Sequence, residues 1–223
     1  GTPIYQHTPV LHLDPPTGKP VSLLKKRILF LTDQSGWWKQ LSKSGALEAM
    51  EYQVVSPLGA GIEDGVHIDL RTDDSLSASV LALDKLNFDT VIAIKDLSDH
   101  TPSMLLDNGI EKERNFLDLL YAVSRHVYND VFKQKKAIYT ICLDAFRGEH
   151  LLPYSGLVAG FMKSLARELE GGEVRMINTD HNNFLRAIRH LEVECGEALD
   201  VREVSYRHGN RHTFQLHPLP SLT

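Results

Sequence analysis

"KKRILFLTDQSGWWKQL", residues 25–41, holds an apolar run (Ile28 to Leu31), a short polar turn and the start of an amphipathic segment. A buried strand that enters a tight turn and then a helix is the place where dinucleotide-binding folds put their phosphate loop. Such a loop needs glycines spaced G-x-G-x-x-G, because the backbone must turn sharply and approach the pyrophosphate. Here Thr32-Asp33-Gln34-Ser35-Gly36 supplies one glycine, two indoles follow at Trp37 and Trp38, and Asp33 puts a carboxylate near the position where phosphate charge would sit. The turn is therefore expected to reject a pyrophosphate by crowding and by repulsion, and to pack an indole on the sheet instead.

Outward from this turn the chain alternates strand and helix patterns. Short apolar runs at 27–32, 52–56, 66–70, 89–94, 136–143 and 173–178 read as strands of a parallel sheet covered on both faces. Helical faces lie between them. Trp38, Leu41, Gly45, Ala46 and Ala49 form one, and Leu76, Val80, Leu81 and Leu83 a second. Phe116, Leu119, Leu120, Val123 and Val127 mark a helix from about Glu111 to Phe132. Leu157, Phe161, Ser164, Leu165 and Glu168 give a stripe on a helix from Tyr154 to Leu169, stopped by Gly171-Gly172. The opening PIYQHTPVLHL (3–13) suits an edge strand, where Pro9 is tolerated, and 14–24 reads as a linker. The segment 200–217 alternates on both sides of His208-Gly209-Asn210, the pattern of a hairpin. The expectation is a single α/β unit with a Rossmann-like core over 25–195 and an antiparallel appendage built from the N-terminal strand and the C-terminal hairpin.

Composition limits the function classes. The chain has 223 residues, a formal net charge of -5 and two cysteines, Cys142 and Cys195. Mixed charge of this balance leaves no footprint for nucleic acid or an anionic membrane, and no apolar run reaches the ~20 residues of a membrane helix. Two cysteines argue against a disulfide framework and fit a reducing cytoplasm, the expected location.

The other candidate sites are weak. Short-chain reductases pair a Tyr with a cation or amide nearby, so that the phenol acts as a general acid. Tyr154 stands near that position, with Thr140 or Asp144 near the preceding Ser position, but Val158, Ala159 and Gly160 follow where the helper belongs. Tyr154 reads better as a helix-entry residue after Pro153. His181, His190, His208, His212 and His217 scatter over turns and the hairpin without metal-ligand spacing. Cys142, within AIYTICL, reads as a buried and inert thiol. The run EKER (111–114) reads as a solvated first helical turn. No residue is assigned as catalytic, cofactor-binding or metal-ligating, and no cofactor is expected.

The stretch KKAIYTICLDAFRGEHLLPYSGLVAGFMKSLARELEGGEVRMINTD (135–180) resembles a segment of type I modular polyketide synthases and related polyunsaturated fatty acid synthases, and REVSYRHGNRHTFQL (202–216) is similar to the closing hairpin of the same unit. That unit is the structural, non-catalytic subdomain of their ketoreductase. Asp144-Ala145-Phe146-Arg147-Gly148 departs from the family's Asp-Gly-Ala-Phe-Gly order. The resemblance implies a truncated Rossmann-like half packed against a catalytic ketoreductase half outside this chain. That partner would carry the NADPH loop and reduce a β-ketoacyl group held on an acyl carrier protein, beside neighbouring synthase domains. The rivals are a divergent stand-alone short-chain NADPH oxidoreductase and a binding module using a cleft near Asp33, Lys95 and Asp144.

Overall fold

A computed structural model describes residues 7–102, 113–199 and 203–218. Its elements are β1 (His7–Leu13), β2 (Arg27–Leu31), α1 (Ser35–Lys43), β3 (Glu51–Pro57), β4 (Val66–Ile68), α2 (Asp73–Val80), a 3-10 turn (Leu81–Lys85), β5 (Thr90–Asp96), α3 (Arg114–His126), α4 (Tyr128–Phe132), β6 (Ala137–Leu143), β7 (Phe146–Arg147), β8 (His150–Leu151), α5 (Pro153–Glu168), β9 (Val174–Thr179), α6 (Phe184–Cys195), β10 (Glu203–Arg207) and β11 (Asn210–Pro218). The nine-stranded main sheet has the order β1-β11-β10-β9-β6-β5-β2-β3-β4. From β10 to β4 every neighbouring pair is parallel, whereas β10–β11 and β11–β1 are antiparallel. This is the expected Rossmann-like sheet with its antiparallel appendage. It is truncated at one edge, where β3 returns to β4 through 58–65 without the helical crossover that parallel strands usually need.

Two apolar layers sandwich the sheet. Leu29, Leu31, Val91 and Cys142 pack under α2, α3 and α5, with Phe116, Leu119, Val123, Val158 and Met162 among the covering side chains. Ile28, Phe30, Ile92, Ile141 and Ile177 pack under α1 and α6, against Trp38, Leu41, Ile188 and Leu191. Residues that alternate along each strand thus serve opposite layers, which is why the strands read as unbroken apolar runs.

The helices depart from expectation in four places. α1 stops at Lys43, and Gly45 takes the left-handed φ of 78°, so Leu47 and Met50 rather than Ala49 complete that patch of core. Leu81 falls in the 3-10 turn and is exposed. The single helix expected up to Phe132 breaks at Val127, with φ -94° and ψ 4°, although its apolar positions are buried as predicted; residues 103–112 lie outside the described residues. α5 turns a neighbouring face inward, burying Tyr154, Val158, Ala159, Met162 and Ala166 together with Leu165 of the expected stripe. Of the rest of that stripe, Phe161 is half-buried against the core, while Leu157, Ser164 and Glu168 face outward. α6 was not singled out in the sequence, and its Phe184, Ala187, Ile188 and Leu191 form a buried face of helical spacing.

The appendage forms as predicted within the described residues. His208 and Gly209 have φ of 53° and 77°, the conformation of a two-residue hairpin loop that suits the twist of flanking strands. β1 pairs with β11 from His7↔Pro218 to Leu13↔His212. Asp14 N–H donates to the Arg211 carbonyl, so the ladder bonds of β1 fall on the even-numbered residues and Pro9 sits on the outward edge, where its missing N–H leaves no gap. The linker is strapped down: a Cβ on Gly18 would lie 2.0 Å from the Gly196 carbonyl oxygen, and one on Gly196 would lie 1.9 Å from that of Lys19. Glu197 accepts from Gly18 N–H at 2.9 Å, and Glu192 from Leu23 N–H at 2.8 Å.

A buried ion pair fixes this corner. Arg211 Nε donates to Glu194 Oε1 and Oε2 at 3.0 and 2.9 Å, and its Nη1 donates to the Asp14 carbonyl at 3.0 Å. Tyr206 Oη donates to Glu194 Oε2 at 2.6 Å. Removing one partner of such a pair strands the other in apolar surroundings. Arg211→Met is therefore expected to lower unfolding free energy by about 3 kcal/mol or more, read from urea denaturation, because Glu194 loses its counter-charge.

Candidate functional site

Strand order reverses between β2 and β5, and in open α/β sheets ligands bind in the crevice outside the carboxyl ends of the strands at that switch point. The residues that reach this place are Asp33, just after β2, Lys95 near the end of β5, and Glu113 at the start of α3. Lys95 is 2% exposed. Its Nζ donates to Asp33 Oδ1 and Oδ2, both at 3.0 Å, and lies 2.8 Å from Glu113 Oε2. His100 Nε2 is 3.2 Å from the same Glu113 oxygen. The ammonium also lies 5.7 Å from the Phe116 ring centroid and 5.5 Å from that of Tyr154.

The crevice is thus filled from inside. Asp33 turns inward and pairs with Lys95, so it is not the free carboxylate that the sequence suggested. Glu113 is likewise no member of a solvated first turn. The His100 ring beside it holds its carboxyl down to about 2, aided by Lys95 and opposed by burial. Arg114 does lie on the surface, 3.5 Å from Asp118.

Tyr154 enters α5 directly after Pro153, as expected. It is buried, its hydroxyl donates to the Glu113 carbonyl at 3.0 Å, and burial followed by the Asp33 charge pushes its pKa up, away from the range of a general acid. Cys142 is buried and pushed up to about 12 by desolvation. Trp38 packs on the sheet against Phe30, with ring centroids 5.9 Å apart, while Trp37 is half-buried against Phe184.

Two neighbouring turns are fastened to the same place. Gln34, which does not cap α1, exchanges two hydrogen bonds of 2.7 Å with the backbone of Asp96. Arg147 Nη1 donates to the carbonyls of Asp144 and Phe146, and Nη2 to those of Leu97, Ser98 and His100. The unusual order Asp144-Ala145-Phe146-Arg147-Gly148 therefore has a physical role. Asp144 and Gly148 take φ of 50° and 59°, the chain folds back as the β7–β8 pair, and Arg147 ties the turn after β6 to the loop after β5. Asp144 stands beside Arg147, 3.6 Å away, and is not among the groups around Lys95.

The histidines do not all scatter. His181 and His190 meet with Nε2 atoms 3.3 Å apart, although one precedes α6 and the other lies in its middle. His208 is at the hairpin turn and His212 on β11; the side chain of His217 lies outside the described residues. Among the described residues no group of three or more His, Cys, Asp or Glu side chains could hold a metal ion. Within the same residues no helix is long and apolar enough to cross a membrane.

Neither protein-family models nor curated proteins yield a match to the chain. Solved structures do. An A1-type ketoreductase aligns with TM-score 0.61 and 12% identity over 97% of this chain, and an A-type ketoreductase from a modular polyketide synthase with 0.60 and 13% over 96%. The chain has the fold of one part of a ketoreductase. It spans 43% of each of those two chains, and 18% of a multidomain NRPS module containing adenylation, ketoreductase and pseudo Asub parts, to which it aligns with TM-score 0.62 and 16% identity.

The filled crevice makes Lys95 the residue on which the loops depend. Lys95→Met would leave Asp33 and Glu113 buried without a cation and is expected to cost about 3–5 kcal/mol of stability, whereas Asp33→Asn keeps the Glu113 contact and should cost distinctly less, both by chemical denaturation. Because the Glu113 carboxyl is depressed in the folded chain, its contribution is present above its ordinary value of 4.5 and is lost as pH falls toward about 2. In the Glu113→Gln variant, denaturation midpoints measured from pH 5 downward should fall less steeply than in the parent.

Proposed function

We propose that this chain is the structural, non-catalytic subdomain of a ketoreductase in a polyketide-synthase-type multienzyme. Its role is to hold a catalytic half that performs the NADPH-dependent reduction of β-ketoacyl groups on an acyl carrier protein. The observation that carries the reading is the crevice plugged by Lys95, Asp33 and Glu113, in a fold that covers less than half of the ketoreductases it resembles. A scaffold needs a fixed shape and a docking face, and no open cofactor cleft.

The distribution of exposed apolar side chains supports a docking face on the α2–α5 layer. Leu81, Tyr121, Phe132 and Leu157 are 57%, 50%, 58% and 43% exposed there, while the helices of the opposite layer expose Leu185 at 44%. A groove of about 550 Å³ runs between α3 and α5, walled by Tyr121, Phe161 and Leu165 and rimmed by Arg125 and Glu168. Tyr121 and Phe161 meet edge to face at 6.3 Å. The groove is also lined by Ser124, whose buried hydroxyl has no partner among the described residues. Apolar centre, charged rim and an unsatisfied donor are features of a surface that is covered in its working state.

Two measurements test the proposal. Isothermal titration of the chain with NADPH should show no saturable binding; micromolar affinity would overturn the scaffold reading in favour of a stand-alone oxidoreductase. Co-purification with the catalytic ketoreductase half of the same synthase should be weakened at least tenfold by Tyr121→Asp or Phe161→Asp, since burying a charge in the groove centre costs well over the ~1.4 kcal/mol that a factor of ten represents.

A further inference from the structure

The pair His181–His190 lies outside the plugged crevice and outside the proposed docking face, and its hydrogen bonds fix where every proton sits. The backbone N–H of Asn183 donates to His181 Nδ1 at 3.1 Å, so Nδ1 is the bare nitrogen and the neutral ring carries its proton on Nε2. That proton points to His190 Nε2, 3.3 Å away, which must then be the acceptor. His190 is held from its other face by stacking on Tyr206, with centroids 4.0 Å apart and an interplanar angle of 14°. The same residues define the entry to α6: Asn183 Oδ1 accepts from Arg186 N–H at 3.0 Å, and the His181 carbonyl accepts from Asp144 N–H at 2.9 Å. Asn182 and Asn183 also line a groove of about 470 Å³ between α1 and α6, facing Trp37 and Gln40.

In this arrangement an added proton has nowhere to go without breaking a bond. On His181 Nδ1 it would face the Asn183 N–H, and on His190 Nε2 it would face the His181 N–H. We propose that the imidazole pair is a proton-operated latch, which holds the entry turn of α6 and the wall of the α1–α6 groove while both rings are neutral and releases them when either ring is protonated. Surrounding charge favours the neutral closed form. Burial, His181, Arg186 and Arg189 push His190 down to about 4, and burial and Arg186 push His181 down. Asp180 opposes both shifts, and Asp144 opposes that of His181. Beneath the stack, the Tyr206 hydroxyl is committed to Glu194, which is itself paired with Arg211. A histidine with a lowered folded value binds its proton more readily in the open state, so release is favoured as pH falls from 6.5 toward 4.

The test is amide exchange and imidazole nitrogen NMR on the 223-residue chain between pH 7.5 and 5. Expected are a His181 ring protonated on Nε2 and a His190 ring protonated on Nδ1 at pH 7.5. Exchange at Asn183 and Arg186, corrected for intrinsic rates, should rise at least tenfold by pH 5. His181→Asn keeps a side-chain oxygen able to accept from the amide two residues on but cannot take a proton, so it should abolish that rise. Titration of either ring near 6.5, a His181 proton on Nδ1, pH-independent exchange in the parent chain, or an unchanged rise in His181→Asn would each overturn the latch. If the variant fails to fold, the tautomers and exchange of the parent chain decide alone.

Discussion

An ammonium group with almost no exposed surface has to be surrounded by compensating charge, and around Lys95 this requirement organises the carboxyl-terminal rim of the sheet. Asp33 is drawn in from the first strand-to-helix turn and Glu113 from the start of α3, with His100 behind it and two aromatic faces beside it. The loops that ordinarily part to admit a ligand are cross-braced instead, by Gln34 on the Asp96 backbone and by Arg147 on five carbonyls.

The two helical layers then divide the work. The α1–α6 layer is closed over by Trp38, the stacked His190–Tyr206 pair and the Arg211–Glu194 ion pair, so most of its polar chemistry is directed inward. Among the helical segments, Leu81, Tyr121, Phe132 and Leu157 stay exposed on the α2–α5 layer against Leu185 on the other, while Val10, Leu13, Tyr52 and Phe214 are exposed on strands.

Much of this fold was legible in the sequence because buried parallel strands have a simple signature: each of the six apolar runs became a strand, and His208-Gly209 formed the hairpin loop. What failed was the choice of helix face on α5. Leu157 turns outward because the buried face runs through Tyr154, Val158, Ala159, Met162 and Leu165, a rotation of the helix that hydrophobic spacing alone does not fix. The site was half legible. Asp33 and Lys95 were placed at one cleft, since both end neighbouring strands, but Asp144 pairs with Arg147 instead and Glu113, read as solvated, comes in from a later helix. That contact depends on the tertiary fold and has no local signal; the meeting of His181 with His190 has the same cause.

The back-to-back contact of Gly18 with Gly196 constrains where this chain could be cut and rejoined. With no room for a side chain on either residue, the segment entering the sheet and the end of α6 fit each other through the main chain. A chimera whose junction falls inside the strap would part those two surfaces, whereas one that takes both glycines from the same parent keeps them.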